Sequence, residues 1–169
     1  MNVAYGKGFA PQVIGGGLFL MTGGEVVFRV LDRTPAGIRS YIQRVTEALL
    51  SVPDKTEMPA QHTLIDGVYT RTLFIPKGTI LVGKVHLKEC VNIVAKGDIT
   101  VLTETGMGRV RAGHVATSAP GIQKLGYAHE DTVFINVFRT DETDIEKIEA
   151  EIATEIYPAL EAEKELLCL

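Results

Sequence analysis

The sequence has no tryptophan, only two cysteines, and no apolar run approaching the roughly 20 residues that a membrane-spanning helix requires. A membrane is therefore not an expected partner. Cys90 and Cys168 show neither CxxC nor zinc-finger spacing, so we read both as free thiols in a reducing compartment. Val13 to Met21 is interrupted by Gly15, Gly16 and Gly17, and only Lys7 precedes it as a basic side chain, which reads as a non-secreted chain. Neither GxGxxG nor GxxxxGK[ST] occurs, so Gly6-Lys7-Gly8 and the triple glycine are not read as phosphate loops. Basic residues interleaved with aromatics are lacking too, and nucleic acid is not an expected partner.

What is present is a chain of 169 residues, 46% hydrophobic and 22% charged, with 17 glycines. That length buries enough surface to fold as one unit without a metal or disulfide staple, and no cofactor is expected on grounds of stability. A mean hydropathy of +0.15 places some apolar surface against another subunit. The net charge of −4 is unevenly spread: residues 141–165 hold ten acidic side chains and two lysines, a segment of −8 that leaves +4 for the remainder. We read the acidic segment as a solvated helix face.

Three regions follow along the chain. Residues 1–60 begin with a stretch that has seven glycines among apolar residues by position 24, an apolar arm or hairpin. A strand-like run follows over Glu25 to Leu31. Thr34-Pro35 is a cap followed by proline at the first helical position, and Ile38, Tyr41, Ile42, Val45 and Leu49 place one apolar face on a helix running to about Ser51. Residues 52–60, with two prolines, read as a linker. Residues 61–139 form the β region, with runs at Val68 to Ile75, Thr79 to His86, Cys90 to Ala95, Asp98 to Thr103, Gly108 to Ala112, Val115 to Ala119, Gln123 to Tyr127 and Thr132 to Phe138. About eight strands at this spacing predict an all-β sandwich or barrel. Residues 140–169 read as helical: Thr143 and Glu146 form a capping box, Ile145, Ile148, Ile152 and Ile156 a narrow stripe, and Pro158 a stop or kink before a shorter segment over Ala159 to Leu167.

Two spacings stand out in the β region. Gly78-x5-Lys84-x-His86-x3-Cys90-x6-Gly97 resembles the first motif of the cupin superfamily, G-x5-H-x-H-x3-E-x6-G. Gly113-x6-Pro120-Gly121-x2-Lys124 is similar, more loosely, to the second, G-x5-P-x-G-x2-H-x3-N. The resemblance implies a mainly β fold: a single cupin-type jelly-roll barrel flanked by the glycine-rich arm and helix on one side and the acidic helix on the other. It also implies that Lys84, His86, Cys90 and Lys124 occupy the four metal-ligand positions. Only His86 is a family ligand, a weak candidate for metal, since a lysine ammonium repels a divalent cation. Alternation would place Ile80, Val82, Lys84 and His86 on one strand face, pointing into the barrel. Lys84, His86 and Lys124 converging there would make a pocket for a carboxylate or phosphate. The lysine stems could instead lie along apolar walls with their ammonium groups at the rim. His86 and Cys90 could also meet as a base and a thiol whose pKa the nearby lysine lowers. His62 in the linker, His114 after a turn and His129 within a turn read as surface residues.

The runs Leu73-Phe74-Ile75-Pro76-Lys77-Gly78-Thr79, Gly83-Lys84-Val85-His86 and Gly126-Tyr127-Ala128-His129-Glu130-Asp131-Thr132-Val133 are similar to small cupin-like proteins encoded by tailed phages. The function this favours is that of a non-enzymatic structural or binding protein, self-assembling or joined to a larger particle as a virion decoration or accessory component, in the virion or the host cytoplasm. Two alternatives stay open: a metal-dependent cupin-style isomerase, lyase or dioxygenase, and a cytoplasmic binder of a small anion.

Overall fold

A computed structural model describes residues 3–5, 19–22, 25–50 and 58–154. Its strands are β1 (Val3–Tyr5), β2 (Phe19–Thr22), β3 (Glu25–Phe28), β4 (Ala60–Ile65), β5 (Val68–Ile75), β6 (Ile80–Val82), β7 (Val85–His86), β8 (Cys90–Lys96), β9 (Asp98–Thr103), β10 (Gly106–Arg111), β11 (Val115–Ser118), β12 (Leu125–Ala128), β13 (Thr132–Arg139) and β14 (Ala153–Thr154). The helices are α1 (Pro35–Leu50) and α2 (Ile145–Ile152). Two antiparallel five-stranded sheets face each other, with orders β1-β6-β12-β9-β10 and β11-β8-β13-β5-β4. They form the mainly β, cupin-type jelly roll that the motifs imply. None of the described helices is long and apolar enough to cross a membrane.

Alternation decides which side of each sheet builds the core. In the first sheet Leu81, Ile99 and Ala128 point inward to meet Leu73, Ile75, Val94 and Phe134 of the second. Ile80, Val82, Leu102, Leu125 and Tyr127 point outward and are covered by α1, through the five apolar residues read from its period, together with Phe19, Val26 and Phe28. Thr34 caps α1 as its sequence implies, its Oγ1 accepting from Gly37 N at 3.1 Å. The N-terminal region thus packs on the barrel: β2 and β3 pair as a hairpin, and β1 adds to the edge of β6.

Several boundaries differ from the sequence reading. The β region opens with β4, whose first residue falls in the expected linker and which carries His62. The run Thr79 to His86 is broken at Gly83-Lys84 into β6 and β7, and Lys124 lies just before β12 rather than on a strand. Helix α2 is capped by Asp144, not Thr143: the charged Asp144 carboxylate accepts from Lys147 N at 3.1 Å, while Glu142 accepts from the amides of Thr143 and Asp144. It ends at Ile152, where the chain turns extended to pair β14 with β7. Ile156, Pro158, the segment Ala159 to Leu167, Cys168 and the phosphate-loop candidates at Gly6-Lys7-Gly8 and Gly15 to Gly17 lie outside the described residues.

All four motif glycines, Gly78, Gly97, Gly113 and Gly121, adopt positive φ. Gly97 and Gly113 share φ +91 but differ in surroundings. A Cβ on Gly97 would meet Thr132 Oγ1 at 2.5 Å and Asp131 O at 2.6 Å, whereas one on Gly113 would meet nothing within 4 Å. Both alanine variants carry the same backbone strain, so Gly97→Ala should be less stable than Gly113→Ala by the overpacking cost alone, roughly 1–3 kcal/mol in urea unfolding. Equal losses would refute the tight β8–β13 approach at this turn.

Candidate functional site

The break at Gly83-Lys84 positions the site. Ile80 and Val82 face α1, not the interior, so strict alternation would send Lys84 and His86 outward with them. Instead both line the barrel cavity: the ladder is interrupted at Gly83-Lys84, so the alternation that turns Ile80 and Val82 outward is not carried through to Lys84 and His86. The shared face expected for Ile80, Val82, Lys84 and His86 is therefore corrected. Across the break, Gly83 N donates to Lys124 O at 2.8 Å, His86 N to Ile122 O at 3.0 Å and Gly121 N to His86 O at 2.7 Å. These bonds hold the second motif beside the first.

The result is a close group of three. His86 Nδ1 lies 3.2 Å from Cys90 Sγ, and Lys124 Nζ lies 3.4 Å from Nδ1 and 3.5 Å from Nε2 of the same ring. Phe138 supports the imidazole in an edge contact, 5.5 Å between centroids. Burial, then the charges of Lys124 and Arg71, lower the His86 pKa to about 3, so the ring is neutral at physiological pH. Burial raises the Cys90 thiol more than Lys124 lowers it. The expected lysine-activated thiolate is thus corrected: Cys90 meets its base, but as a thiol. Burial also lowers Lys124, to about 8.

Around this group runs a polar row that the sequence reading missed. In register across the inner face of the second sheet lie Ala116, Asn92, Asn136, Arg71 and His62. Asn136 Nδ2 donates to Asn92 Oδ1 at 2.7 Å, and Asn92 Nδ2 donates to Ser118 Oγ at 2.9 Å. Tyr69 Oη donates to Glu149 of α2 at 2.8 Å and lies 2.7 Å from His62 Nδ1, while Glu149 sits 3.5 Å from Arg71 Nε. Ile148 and Ile152 pack on Tyr69 and Phe138, so α2 covers this end of the barrel. The signal was phase: Arg71 alternates with Tyr69 and Leu73, and Asn136 with Phe134 and Phe138, polar residues on an inward apolar face.

His62 therefore belongs to a strand and a hydrogen-bonded chain rather than a linker. His129 is in a turn but buried, its Nε2 2.7 Å from Thr100 Oγ1; His114 is exposed as expected.

The cavity itself measures about 60 Å³, with Leu73, Ile75, Leu81 and Phe134 on its apolar side and Arg71, Lys84, His86, Lys124, Asn136 and Glu149 on its polar side. Val101, Lys124 and Phe134 also border a wider cavity of about 550 Å³ near Thr105, Gly106 and Ser118. The metal that the cupin-like motifs imply does not fit here. Of the four ligand positions, only His86 and Cys90 carry donors, and the Lys124 nitrogen stands beside His86 where another ligand is needed. No group of three His, Cys, Asp or Glu suited to a metal occurs among the described residues.

The chain matches no protein-family model and no curated protein. Among solved structures it is similar to an RmlC-like cupin from Shewanella frigidimarina, at 18% identity over 54% of this chain and 91% of that one, with a TM-score of 0.43. It is also similar to KdgF from Halomonas sp., at 14% identity over 52% and 83%, with a TM-score of 0.45. A double-stranded β-helix protein from Klebsiella pneumoniae gives 17% identity over 52% and 81%, with a TM-score of 0.45.

The lowered Lys124 pKa makes stability depend on pH. Below pH 8 both folded and unfolded chains hold the proton, and the cost of burying the ammonium is present in full. Between about 8 and 10.5 the unfolded chain keeps a proton that the folded one has shed, so wild-type stability contributed by this group rises with pH, by roughly 3 kcal/mol in total. Lys124→Met should be more stable than wild type at pH 7, with the difference closing by pH 10.5 in urea titrations. Parallel curves for the two proteins would show that the cation is not buried.

Proposed function

We propose that this protein is a non-enzymatic binding protein whose barrel holds a small anion, a carboxylate or phosphate, and that copies of it assemble through the outer face of the second sheet. The observation that carries the first half is the cavity's charge: Lys124 lies in it beside a neutral His86, and the one carboxylate on its wall among the described residues, Glu149, is engaged by Tyr69 and Arg71. That leaves the Lys124 charge without a carboxylate beside it among the described residues, in a low-dielectric space. An anion would offset the desolvation of that charge.

The two sheets differ in what covers them, and this supports assembly. The first sheet's outer face lies under α1. The second sheet's outer face carries the rows Val115-Ile93-Ile135-Thr72-Gln61 and Thr117-Val91-Val137-Thr70-Thr63, flanked by Lys96, Val133 and Phe74 on one side and by Arg139, Val68 and Ile65 on the other. Both rows are free of charged side chains, and Ile65 and Val115 remain 68% and 59% exposed. Nothing among the described residues covers this face, and a β-branched surface roughly 20 Å across is larger than soluble monomers usually leave bare. The likeness of three runs to cupin-like phage proteins extends this reading to a virion decoration or accessory component, in the virion or host cytoplasm.

Each half has its own test. Phosphate or a short carboxylate, added at constant ionic strength against a chloride control, should raise the melting temperature by several degrees at a hundredfold excess over Kd, and Lys84→Met should weaken the effect. A flat response to all such anions would overturn the anion reading, and a stoichiometric transition metal in the purified protein would turn it toward the enzymatic alternative. By light scattering the wild type should be oligomeric and Ile135→Lys monomeric with unchanged circular dichroism. A monomeric wild type at tens of micromolar would reject assembly through this face.

A further inference from the structure

Lys124 differs in its surroundings from a surface lysine such as Lys88, which is tied to the carboxylate of Glu151. Its nitrogen lies inside the barrel, facing the apolar side chains of Leu81, Val101 and Phe134, and the polar atoms it touches are the two nitrogens of a neutral imidazole. An amine on the wall of a cavity, with no carboxylate beside it among the described residues and a neutral ring within reach to relay its proton, has the requirements of an amine nucleophile. The same cavity carries two further cations, Arg71 and Lys84, on its wall.

We propose that Lys124 is a reversible covalent attachment point for a small 2-oxo acid, its ε-amine condensing with the ligand's carbonyl carbon while Arg71 and Lys84 hold the carboxylate. This rests on the anion-binding reading of the same cavity and specifies its ligand. The step balances without any further reactant. Counted from the ammonium, the nitrogen sheds two protons, one before its lone pair forms the C–N bond to the carbonyl carbon and one from the resulting adduct, and both pass to the carbonyl oxygen with the neutral His86 ring as hydrogen-bonded relay. That oxygen leaves as water when the C–O bond breaks, and a C=N bond remains that keeps the third N–H as an iminium. The positive charge stays on nitrogen, beside the carboxylate the ligand brings in. A cavity of about 60 Å³ limits the enclosed part of the ligand to a few heavy atoms, while the wider cavity sharing Lys124 provides room for a longer tail.

Pyruvate with cyanoborohydride, which reduces the C=N bond in place, followed by digestion and peptide mass mapping, tests this on the full chain. The expected result is an adduct on Lys124 forming on the order of tenfold faster than on any other lysine, because a larger fraction of its amine is unprotonated near pH 7. Lys124→Arg, which keeps the charge, should lose that adduct while remaining folded. Lys84→Met should slow labelling by pyruvate more than labelling by acetone, which lacks the carboxylate. Labelling spread evenly over the lysines, or an equal effect of Lys84→Met on both carbonyls, would overturn the proposal. Acetate and propanoate separate it from its premise: if they stabilise the wild type but pyruvate leaves Lys124 unlabelled, the covalent step fails and anion binding stands. If neither stabilisation nor labelling occurs, both fail.

Discussion

A positive charge buried in the middle of a β-barrel, against an imidazole that cannot share it, is the constraint from which the site's chemistry follows. Lys124 stands 3.4 Å from His86 and disfavours its protonated form, while burial disfavours the protonated form of both. The imidazole gives way first, since its intrinsic affinity for a proton is lower by several orders of magnitude. His86 is thereby fixed as an uncharged acceptor and donor, Cys90 stays a thiol, and the ammonium is left to be neutralised by whatever enters. Where a cupin metal site needs several converging donors, this arrangement offers two donors and a repelling charge.

The scaffold around that charge is layered asymmetrically. Helix α1 and the β2–β3 hairpin cover the first sheet, the interior between sheets is filled by aliphatic side chains at one end and by the polar row at the other, and α2 covers the end nearest Tyr69 and Phe138. Each apolar face of the first sheet has a partner within the chain. The outer face of the second does not among the described residues, and its valine, isoleucine and threonine rows have the composition of a sheet built to be covered. The binding proposed inside the barrel and the assembly proposed outside it would use opposite faces of the same five strands.

Much of the fold was legible because its signals are local. The spacing of Ile38, Tyr41, Ile42, Val45 and Leu49 depends only on the helical repeat, and all five are buried as that repeat demands. Gly78, Gly97, Gly113 and Gly121 punctuate the strands because each turn requires positive φ. The errors occurred where a local rule competed with tertiary pairing. Thr143 and Asp144 are both plausible caps, and Glu142 settled the choice by binding the amides of both. β4 lacks a regular alternation, with four of its six positions exposed and none fully buried, and is a strand because β5 offers it an edge.

The amino-acid order alone determined the helix faces, the β-rich centre, the turn positions and the cationic residues at the places where cupin ligands lie. The folded chain alone decided that Lys84 and His86 turn inward, because a two-residue departure from a ladder has no signature in a period-two pattern. It alone brought Lys124 to His86 across 38 residues, and set Arg71 and Asn136 on one inner row, since strand register is a property of pairs. Which sheet stayed bare was likewise decided by packing: a strand's sequence shows that a face is apolar, while the element that covers it is contributed from elsewhere in the chain.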